Sequence, residues 1–91
     1  MIVKIDKKFQ KDFNKVKNEF LKKQLIKIIR ELEFHNSLSE IPHLKKLKGF
    51  DRYFRIKQKD FRIGLEFIRP NTLVLIRYLH RKDIYDKWPT N

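Results

Sequence analysis

The sequence predicts a small single α+β domain over residues 1–91, with an antiparallel β-sheet and an N-terminal helical hairpin packed on one face. A chain of 91 residues supports one hydrophobic core. Apolar residues recur at helical spacing in the first third of the chain and at a period of two in the second half. The later strands are separated by short loops, which favour antiparallel hairpins. The predicted order is β-α-α-β-β-β-α.

The first predicted element is an edge strand from Ile2 to Ile5. Asp6 follows and can cap a helix, because its carboxylate can accept hydrogen bonds from the first free backbone N–H groups. Two apolar stripes then recur at helical spacing. The first consists of Phe9, Phe13, Val16 and Phe20, and the second of Leu21, Leu25, Ile28, Ile29 and Leu32.

These two stripes favour two helices over one. They point about 130° apart, which is too far for one straight helix to bury both against a flat surface. We therefore expect a helical hairpin that breaks near Lys17-Asn18. One long helix buried on two sides is the alternative, because neither Gly nor Pro marks the break.

A turn-rich linker from His35 to Pro42 leads into a short basic segment. Leu44 and Leu47 frame the segment, and Gly49 ends it. Its three lysines are candidate RNA-binding residues: Lys45, Lys46 and Lys48.

Three strands are predicted after this segment, at about Arg52 to Gln58, Phe61 to Ile68 and Thr72 to Leu79. The tail from Arg81 to Trp88 predicts a helical turn or two, which Pro89 stops. The second half of the chain is thus an antiparallel meander with a helical end.

The register of the first hairpin follows from its side chains. If Lys59-Asp60 is the turn, Lys57 lies opposite Arg62 and Arg55 lies opposite Gly64. This pairing sends the apolar side chains to the core: Phe54, Ile56, Ile63 and Leu65. A shift by one residue would mix the two faces. The other face then carries Arg55, Lys57 and Arg62, and we call these three residues the basic face.

The basic face is costly for a sheet, since like charges directly opposite each other are destabilising. Such a cost is expected where an anion binds. Gly64 has no side chain and would leave room for a ligand to approach the sheet. The second hairpin, around Arg69-Pro70-Asn71, fits an even or an odd loop. An even loop would place Arg77 on the basic face beside Gly64.

The charge of the chain points to a polyanionic partner. Its formal net charge is +12, from 23 Lys and Arg against 11 Asp and Glu. Without cysteine the chain has no disulfides and no thiolate metal ligands, which suits a cytoplasmic protein. The longest apolar run, Leu73 to Ile76, is too short to cross a membrane. We expect no membrane association.

Metal-dependent chemistry is not predicted. The acidic residues are scattered, with no spacing that suits a pair of Mg²⁺ ions. The three histidines, His35, His43 and His80, match no usual zinc site. No glycine-rich phosphate loop is present, so no cofactor is predicted.

RNA cleavage without a metal fits the residues that remain. The 2′-hydroxyl must lose a proton, the phosphate oxygens must be neutralised, and the departing 5′-oxygen must gain a proton. Arginine and lysine can stabilise the charge, and histidine or tyrosine can transfer protons. A sufficient candidate catalytic set is Arg55, Lys57, Arg62, His80 and Tyr85.

Three segments give the chain a family resemblance. They are Tyr53-Phe54-Arg55-Ile56-Lys57, Asp60-Phe61-Arg62-Ile63-Gly64 and Leu79-His80-Arg81-Lys82-Asp83-Ile84-Tyr85. Together with the order of the elements, they resemble the RelE branch of the RelE/ParE toxin superfamily over nearly the whole chain.

The resemblance implies one RelE-like toxin domain of a type II toxin–antitoxin pair. Such a toxin is an mRNA interferase that enters the ribosomal A site, contacts rRNA and cleaves the bound mRNA, which inhibits translation. The implied partners are a cognate antitoxin, mRNA and the ribosome. The antitoxin is expected to lay an acidic or amphipathic segment over the sheet or to displace the C-terminal helix.

The resemblance also implies roles for individual residues. Arg55 and Lys57 match the family's strand lysines, which bind the phosphate and help to activate the 2′-hydroxyl. Arg62 matches the arginine on the scissile phosphate, and Tyr85 the tyrosine that stacks on the base or assists proton transfer. His80 stands near a second family arginine, or where related toxins have a histidine. Further RNA-binding candidates are Arg77, Arg81 and Lys82.

Two other functions fit the same sequence. A ParE-like toxin would inhibit DNA gyrase by protein contact and would need no catalytic set. A non-catalytic RNA- or DNA-binding module would use the basic residues for affinity alone.

Overall fold

A five-stranded sheet with a helical hairpin on one face forms the body of the protein, as the computed structural model of residues 1–89 shows. The elements are β1 (Ile2–Ile5), α1 (Lys7–Lys15), α2 (Glu19–Phe34), β2 (Leu44–Lys46), β3 (Tyr53–Gln58), β4 (Phe61–Ile68), β5 (Thr72–His80) and α3 (Ile84–Lys87). A 3-10 turn, Leu38–Glu40, lies between α2 and β2. No helix in residues 1–89 is long and apolar enough to cross a membrane.

The predicted α+β class is confirmed, but the sheet is mixed and not fully antiparallel. Its strand order is β1-β5-β4-β3-β2, and β1 runs parallel to β5. This pairing joins Ile2 to Thr72, residues separated by almost the whole chain. Short loops dictate only the antiparallel pairs between neighbours in sequence, so the loops could not reveal this parallel pair.

The break between the two predicted helices is confirmed. The backbone of Val16 leaves the helical region, and the side chain of Asn18 accepts a hydrogen bond of 3.1 Å from the N–H of Leu21. Asp6 caps α1 in the same way, through the N–H of Lys8 at 2.9 Å. Asparagine and aspartate are favoured at this position because their side chains satisfy free N–H groups.

Strand β2 was not expected, so the predicted order lacks one strand. Leu44 pairs with Ile56, and Lys46 pairs with Phe54. The strand has only three residues, too few to show a period of two in the sequence. It forms because β3 offers it an open edge.

The predicted register of the first hairpin is confirmed. Lys57 lies opposite Arg62 and Arg55 opposite Gly64, while Lys59 turns the chain with a φ of 51°. The second hairpin has a three-residue loop, since Ile68 pairs with Thr72. A bulge between Gly64 and Leu65 then shifts the register and brings Arg77 opposite Gly64. The odd loop and the bulge together give the pairing that an even loop would have given.

The core lies between the sheet and the helical hairpin. Its buried side chains include Phe9, Leu25, Leu32, Ile41, Ile56, Ile63, Leu65, Leu73, Leu75 and Tyr78. The opposite face of the sheet is covered in part by α3, which is anchored by the buried side chains of Ile84 and Trp88. The apolar residues of the β3–β4 hairpin therefore face the helices, and its basic residues face the side of α3.

Candidate active site

The basic face lies on two adjacent strands, and a third strand extends it. Arg55 and Lys57 lie on β3, and Arg62 lies directly opposite Lys57 on β4. Lys45 of β2 lies opposite Arg55 and extends the same face, because residues opposite each other in a sheet share a side. Four cations are thus held side by side by backbone pairing.

The position of Arg55 is fixed by the loop before β2. Its Nη1 donates a hydrogen bond of 3.0 Å to the carbonyl of His43, which also accepts from the N–H of Lys57 at 3.3 Å. His43 has a φ of 62°, which turns its carbonyl toward β3. Arg55 is therefore oriented by the backbone, whereas the side chain of Lys57 is exposed.

Arg62 is the most enclosed cation of the basic face, with 9% of its surface exposed. Its Nη1 donates hydrogen bonds to the carbonyls of Lys59 at 2.8 Å and Phe61 at 2.9 Å. Burial and the neighbouring charge of Arg55 lower the pKa of the Arg62 guanidinium, and Tyr85 and Asp60 oppose this shift. A desolvated guanidinium beside another cation is stabilised by an anion.

Arg62 has no carboxylate partner in an ion pair within residues 1–89. The remaining nitrogens of its guanidinium are free to bind an oxyanion, and arginine binds phosphate oxygens in a fixed planar geometry. The hairpin turn thus holds Arg62 in place while leaving its charge available.

Tyr85 and Arg81 complete the site. Both lie near enough to Arg62 to influence its pKa, and 55% of the surface of Tyr85 is exposed. Arg81 is held at the end of β5 by its N–H, which donates to the carbonyl of Asp60 at 2.7 Å. The Nε of Arg81 lies 3.7 Å from a carboxylate oxygen of Asp60. The phenol of Tyr85 and the guanidiniums of Arg55 and Arg81 therefore belong to the electrostatic environment of Arg62.

His80 lies on the other side of the sheet. Its ring and that of Phe61 pack in a T-shaped arrangement with centroids 5.7 Å apart, and Phe61 stacks on the core residue Tyr78 with centroids 4.9 Å apart. Arg62 pairs with Leu79, so the next residue along β5 projects toward the helices. The structure does not bring His80 together with the other four candidate catalytic residues.

Arg77 is paired within the protein. Its Nε and Nη2 donate to the two carboxylate oxygens of Asp12 at 2.8 Å and 3.1 Å, and one of these oxygens accepts from the N–H of Tyr78 at 2.9 Å. Asp12 thereby accepts a backbone hydrogen bond from the edge of β5, beyond the point where the pairing with β1 ends. Its role was missed from the sequence, because a single aspartate on a helix does not show which distant strand it meets.

The remaining basic candidates differ in their placement. Lys46 lies opposite Phe54, on the opposite side of the sheet from Lys45. Lys48 and Lys82 are exposed, the first between β2 and β3 and the second after β5.

Trp88 is a second feature that was missed from the sequence. Its ring carbons lie 2.9–3.0 Å from the position that a Cβ on Gly64 would occupy. The expectation that Gly64 leaves room for a ligand is therefore wrong, because the indole occupies that space. Gly64 allows α3 to pack closely on the sheet, which positions Tyr85 beside Arg62.

The donor set for a metal is limited. Within the part of the chain that the structure describes, no group of three or more histidine and carboxylate side chains is arranged to hold a metal ion. The chemistry of this site is that of guanidinium, ammonium and phenol groups.

Known proteins resemble this chain in sequence or in structure. The toxin RelE3 of Methanocaldococcus jannaschii is 39% identical over 90 residues, which cover 98% of this chain and 100% of that protein. A RelB–RelE antitoxin–toxin complex from Methanococcus jannaschii contains a chain with a TM-score of 0.78 and 37% identity, with 94% of this chain and 99% of that chain covered. No protein-family model matches the sequence.

More distant structures share the fold. A chain of the archaeal RelE–RelB complex from Pyrococcus horikoshii OT3 has a TM-score of 0.72 at 17% identity, covering 91% of this chain and 97% of that chain. The fold is thus retained at low identity. The close match to RelE3 extends over almost the whole of both chains. This protein therefore belongs to the RelE toxin family.

Proposed function

We propose that this protein is the toxin of a type II toxin–antitoxin pair and acts as a ribosome-dependent endoribonuclease. It would cleave mRNA in the A site without a metal. The observation that carries this proposal is the environment of Arg62, a largely buried cation with no carboxylate partner in residues 1–89, next to Arg55, Arg81 and Tyr85.

The reaction is an attack of the 2′-oxygen on the adjacent phosphorus. The new bond joins O2′ to phosphorus, and the bond from phosphorus to O5′ breaks. This leaves a 2′,3′-cyclic phosphate and a 5′-hydroxyl. One proton leaves the 2′-hydroxyl, and one proton reaches O5′, so the reaction needs no oxidant or reductant.

The residues divide this work by position. Arg62 and Arg55 bind the non-bridging phosphate oxygens and stabilise the charge that develops on them. Arg81 adds a third guanidinium beside Arg62. Lys57 is the exposed cation of the basic face and assists the loss of the 2′-proton. Tyr85 stacks on a base or transfers a proton to or from the reacting oxygens.

A cognate antitoxin is part of this proposal. The similar archaeal chains were solved in complexes of RelE with RelB. We infer that an acidic or amphipathic segment of the antitoxin covers the basic face or displaces α3. Since α3 has only four residues and is anchored by Ile84 and Trp88, its displacement would also remove Tyr85 from Arg62.

The test is cleavage of a defined mRNA on ribosomes. The purified protein is incubated with that mRNA, either bound to programmed ribosomes or free in solution, and the new 5′ ends are mapped by primer extension. We expect cuts in the A-site codon that are absent without ribosomes. An intact message at saturating protein contradicts the proposal. A supercoiling assay with DNA gyrase then tests the ParE-like alternative.

A further inference from the structure

A second basic cleft lies beside the edge of β5, between the helical hairpin and the C-terminal segment that contains α3. It has a volume of about 480 Å³ and is lined by the turn between α1 and α2, the end of β5, and residues of α3 and the segment before it. Its lysines are Lys15, Lys17 and Lys87. None of the three residues of the basic face lines this cleft, so the two surfaces are distinct.

The cleft carries a net positive charge. Four cations line it, the three lysines and Arg77, against the two carboxylates of Asp12 and Asp83. Arg77 and Asp12 neutralise each other in their bidentate pair. None of the three lysines forms an ion pair within residues 1–89. An anion that enters the cleft therefore meets free ammonium groups.

His80 also lines this cleft and offers it a hydrogen-bond donor. The N–H of Lys82 donates to its Nδ1 at 3.1 Å, so the proton of the neutral ring lies on Nε2. No hydrogen bond to Nε2 occurs in the described chain, and no side-chain nitrogen there is both buried and unpaired. An accessible imidazole N–H among lysines suits a phosphate oxygen.

We propose that this cleft binds the phosphodiester backbone of RNA and increases the affinity of the protein for its RNA target without taking part in cleavage. Lys15, Lys17 and Lys87 provide the charge, and His80 Nε2 provides a hydrogen bond. The inference rests on the proposed function in taking RNA as the partner.

The position of α3 supports a continuous path for RNA. Lys87 lines the cleft, whereas Tyr85, two residues earlier, lies beside Arg62. A strand that passes the end of β5 can therefore contact both sides of the sheet. Each strand of a nucleic acid duplex carries a charge about every 3.4 Å along its axis, so several phosphates would lie within this path. A single small anion would use only one of the two surfaces.

The experiment compares two double variants with the same change of charge. Lys15→Ala/Lys17→Ala removes two cations from the cleft, and Lys23→Ala/Lys27→Ala removes two exposed cations from α2 that do not line it. Binding is measured by fluorescence anisotropy between about 50 and 200 mM salt, the range over which phosphate contacts lose affinity steeply. One arm uses small ribosomal subunits without message, and the other uses a free mRNA oligonucleotide.

We expect the cleft variant to bind about tenfold more weakly than the control variant in at least one arm. Its slope of log affinity against log salt should fall by about 1 to 2, since each phosphate contact contributes about 0.7 to 0.9. Loss in the subunit arm alone identifies ribosomal RNA as the ligand, and loss with the oligonucleotide identifies the message. Equal losses for both double variants overturn the inference.

A second measurement does not need a variant. The ¹⁵N and ¹H signals of the His80 ring are followed while the same RNA is added to the wild-type protein. A shift of the Nε2 signal is expected, and an unchanged ring at saturating RNA contradicts the inference.

Cleavage separates this inference from the proposed function. If ribosomal cleavage occurs, the cleft variant should show a raised KM with an unchanged kcat. If no cleavage occurs but the cleft variant still binds RNA more weakly than the control, only the proposed function fails. Cleavage with equal binding by both double variants rejects the cleft alone.

Discussion

The indole of Trp88 lies directly on Gly64, with ring carbons 2.9–3.0 Å from the site of a Cβ. Trp88 also packs against Tyr53, with ring centroids 5.5 Å apart. This contact attaches the C-terminal helix to the basic side of the sheet. The glycine in the middle of β4 is therefore explained by close packing within the protein.

We expect Gly64→Ala to destabilise the protein by about 1 to 3 kcal/mol, because the added methyl group overlaps the indole. Trp88→Ala should cost about 3 to 5 kcal/mol through the loss of a buried aromatic ring. Chemical denaturation measures both changes. In the double variant the methyl group no longer meets the indole, so the two costs should not add. Additive costs would show that the two residues are not coupled.

Arg62→Ala should reduce cleavage on ribosomes by about 10²- to 10³-fold, because it removes a donor to the developing phosphate charge. Arg62→Lys should recover only part of the activity, since ammonium lacks the planar pair of donors. Single-turnover cleavage of a defined mRNA measures the effect. Arg52→Ala is the matched control, because Arg52 pairs with Glu66 at 3.5 Å and lies outside the site. Equal activity of the Ala variants at positions 52 and 62 would contradict the assignment.

Tyr85 offers a way to separate proton transfer from stacking. Tyr85→Phe keeps the ring and removes the hydroxyl, so a role in proton transfer predicts a loss of about 10²- to 10⁴-fold in the single-turnover rate. A stacking role predicts that Tyr85→Phe stays active while Tyr85→Ala loses activity. The side chain is exposed, so neither variant should change the unfolding free energy much. Full activity of the Ala variant would remove Tyr85 from the site.

Asp12→Asn should destabilise the protein by about 3 kcal/mol or more, because it leaves a largely buried cation without its partner. The Arg77 side chain is 15% exposed and that of Asp12 is 4% exposed. We expect Asp12→Asn/Arg77→Met to recover much of the loss, since the double variant buries no unpaired charge. Urea denaturation at neutral pH compares the three proteins. A double variant no more stable than Asp12→Asn would show that the carboxylate matters mainly through the N–H of Tyr78.

Tyr78 should make stability depend on alkaline pH. Burial raises the pKa of Tyr78 to about 12, and its hydroxyl donates to Gln58 Oε1 at 2.5 Å. An unfolded tyrosine has a pKa of about 10. The folded state therefore holds this proton more tightly, so its contribution is complete below pH 10 and is lost as the pH rises toward 12.

The variant Tyr78→Phe isolates this contribution from the lysines that titrate in the same range. At neutral pH it should cost about 1 to 3 kcal/mol, because Gln58 Oε1 loses its donor in a buried position. Between pH 10 and 12 the unfolding free energy of the wild type should fall more steeply than that of the variant. Parallel curves would show that the Tyr78 hydroxyl has the same pKa in both states.

The basic face was predictable because its signals are local. Apolar and charged side chains alternate along β3 and β4, and a two-residue turn joins the strands. Only one register then keeps the charges out of the core. This register places Arg55 and Arg62 on the same side of the sheet. The break before Asn18 was equally local, since two apolar stripes and a capping residue lie within a few turns of helix.

The position of His80 was not predictable in this way. It lies within a few residues of Arg81 and Tyr85 in the sequence, which favoured one shared site. In a strand, however, neighbouring side chains point to opposite faces. Its side was decided by the pairing with Phe61, which depends on a bulge that no residue pattern revealed.

The sequence alone determined a basic sheet face opposite an apolar one, since alternating side chains and short loops act over a few residues. Only the tertiary structure decided which distant groups meet. Three contacts join parts of the chain that are far apart in sequence: the ion pair of Asp12 with Arg77, the parallel pairing of β1 with β5, and the packing of Trp88 on Gly64. Such contacts depend on the packing of the whole core, and the spacing of apolar residues along the sequence does not indicate them.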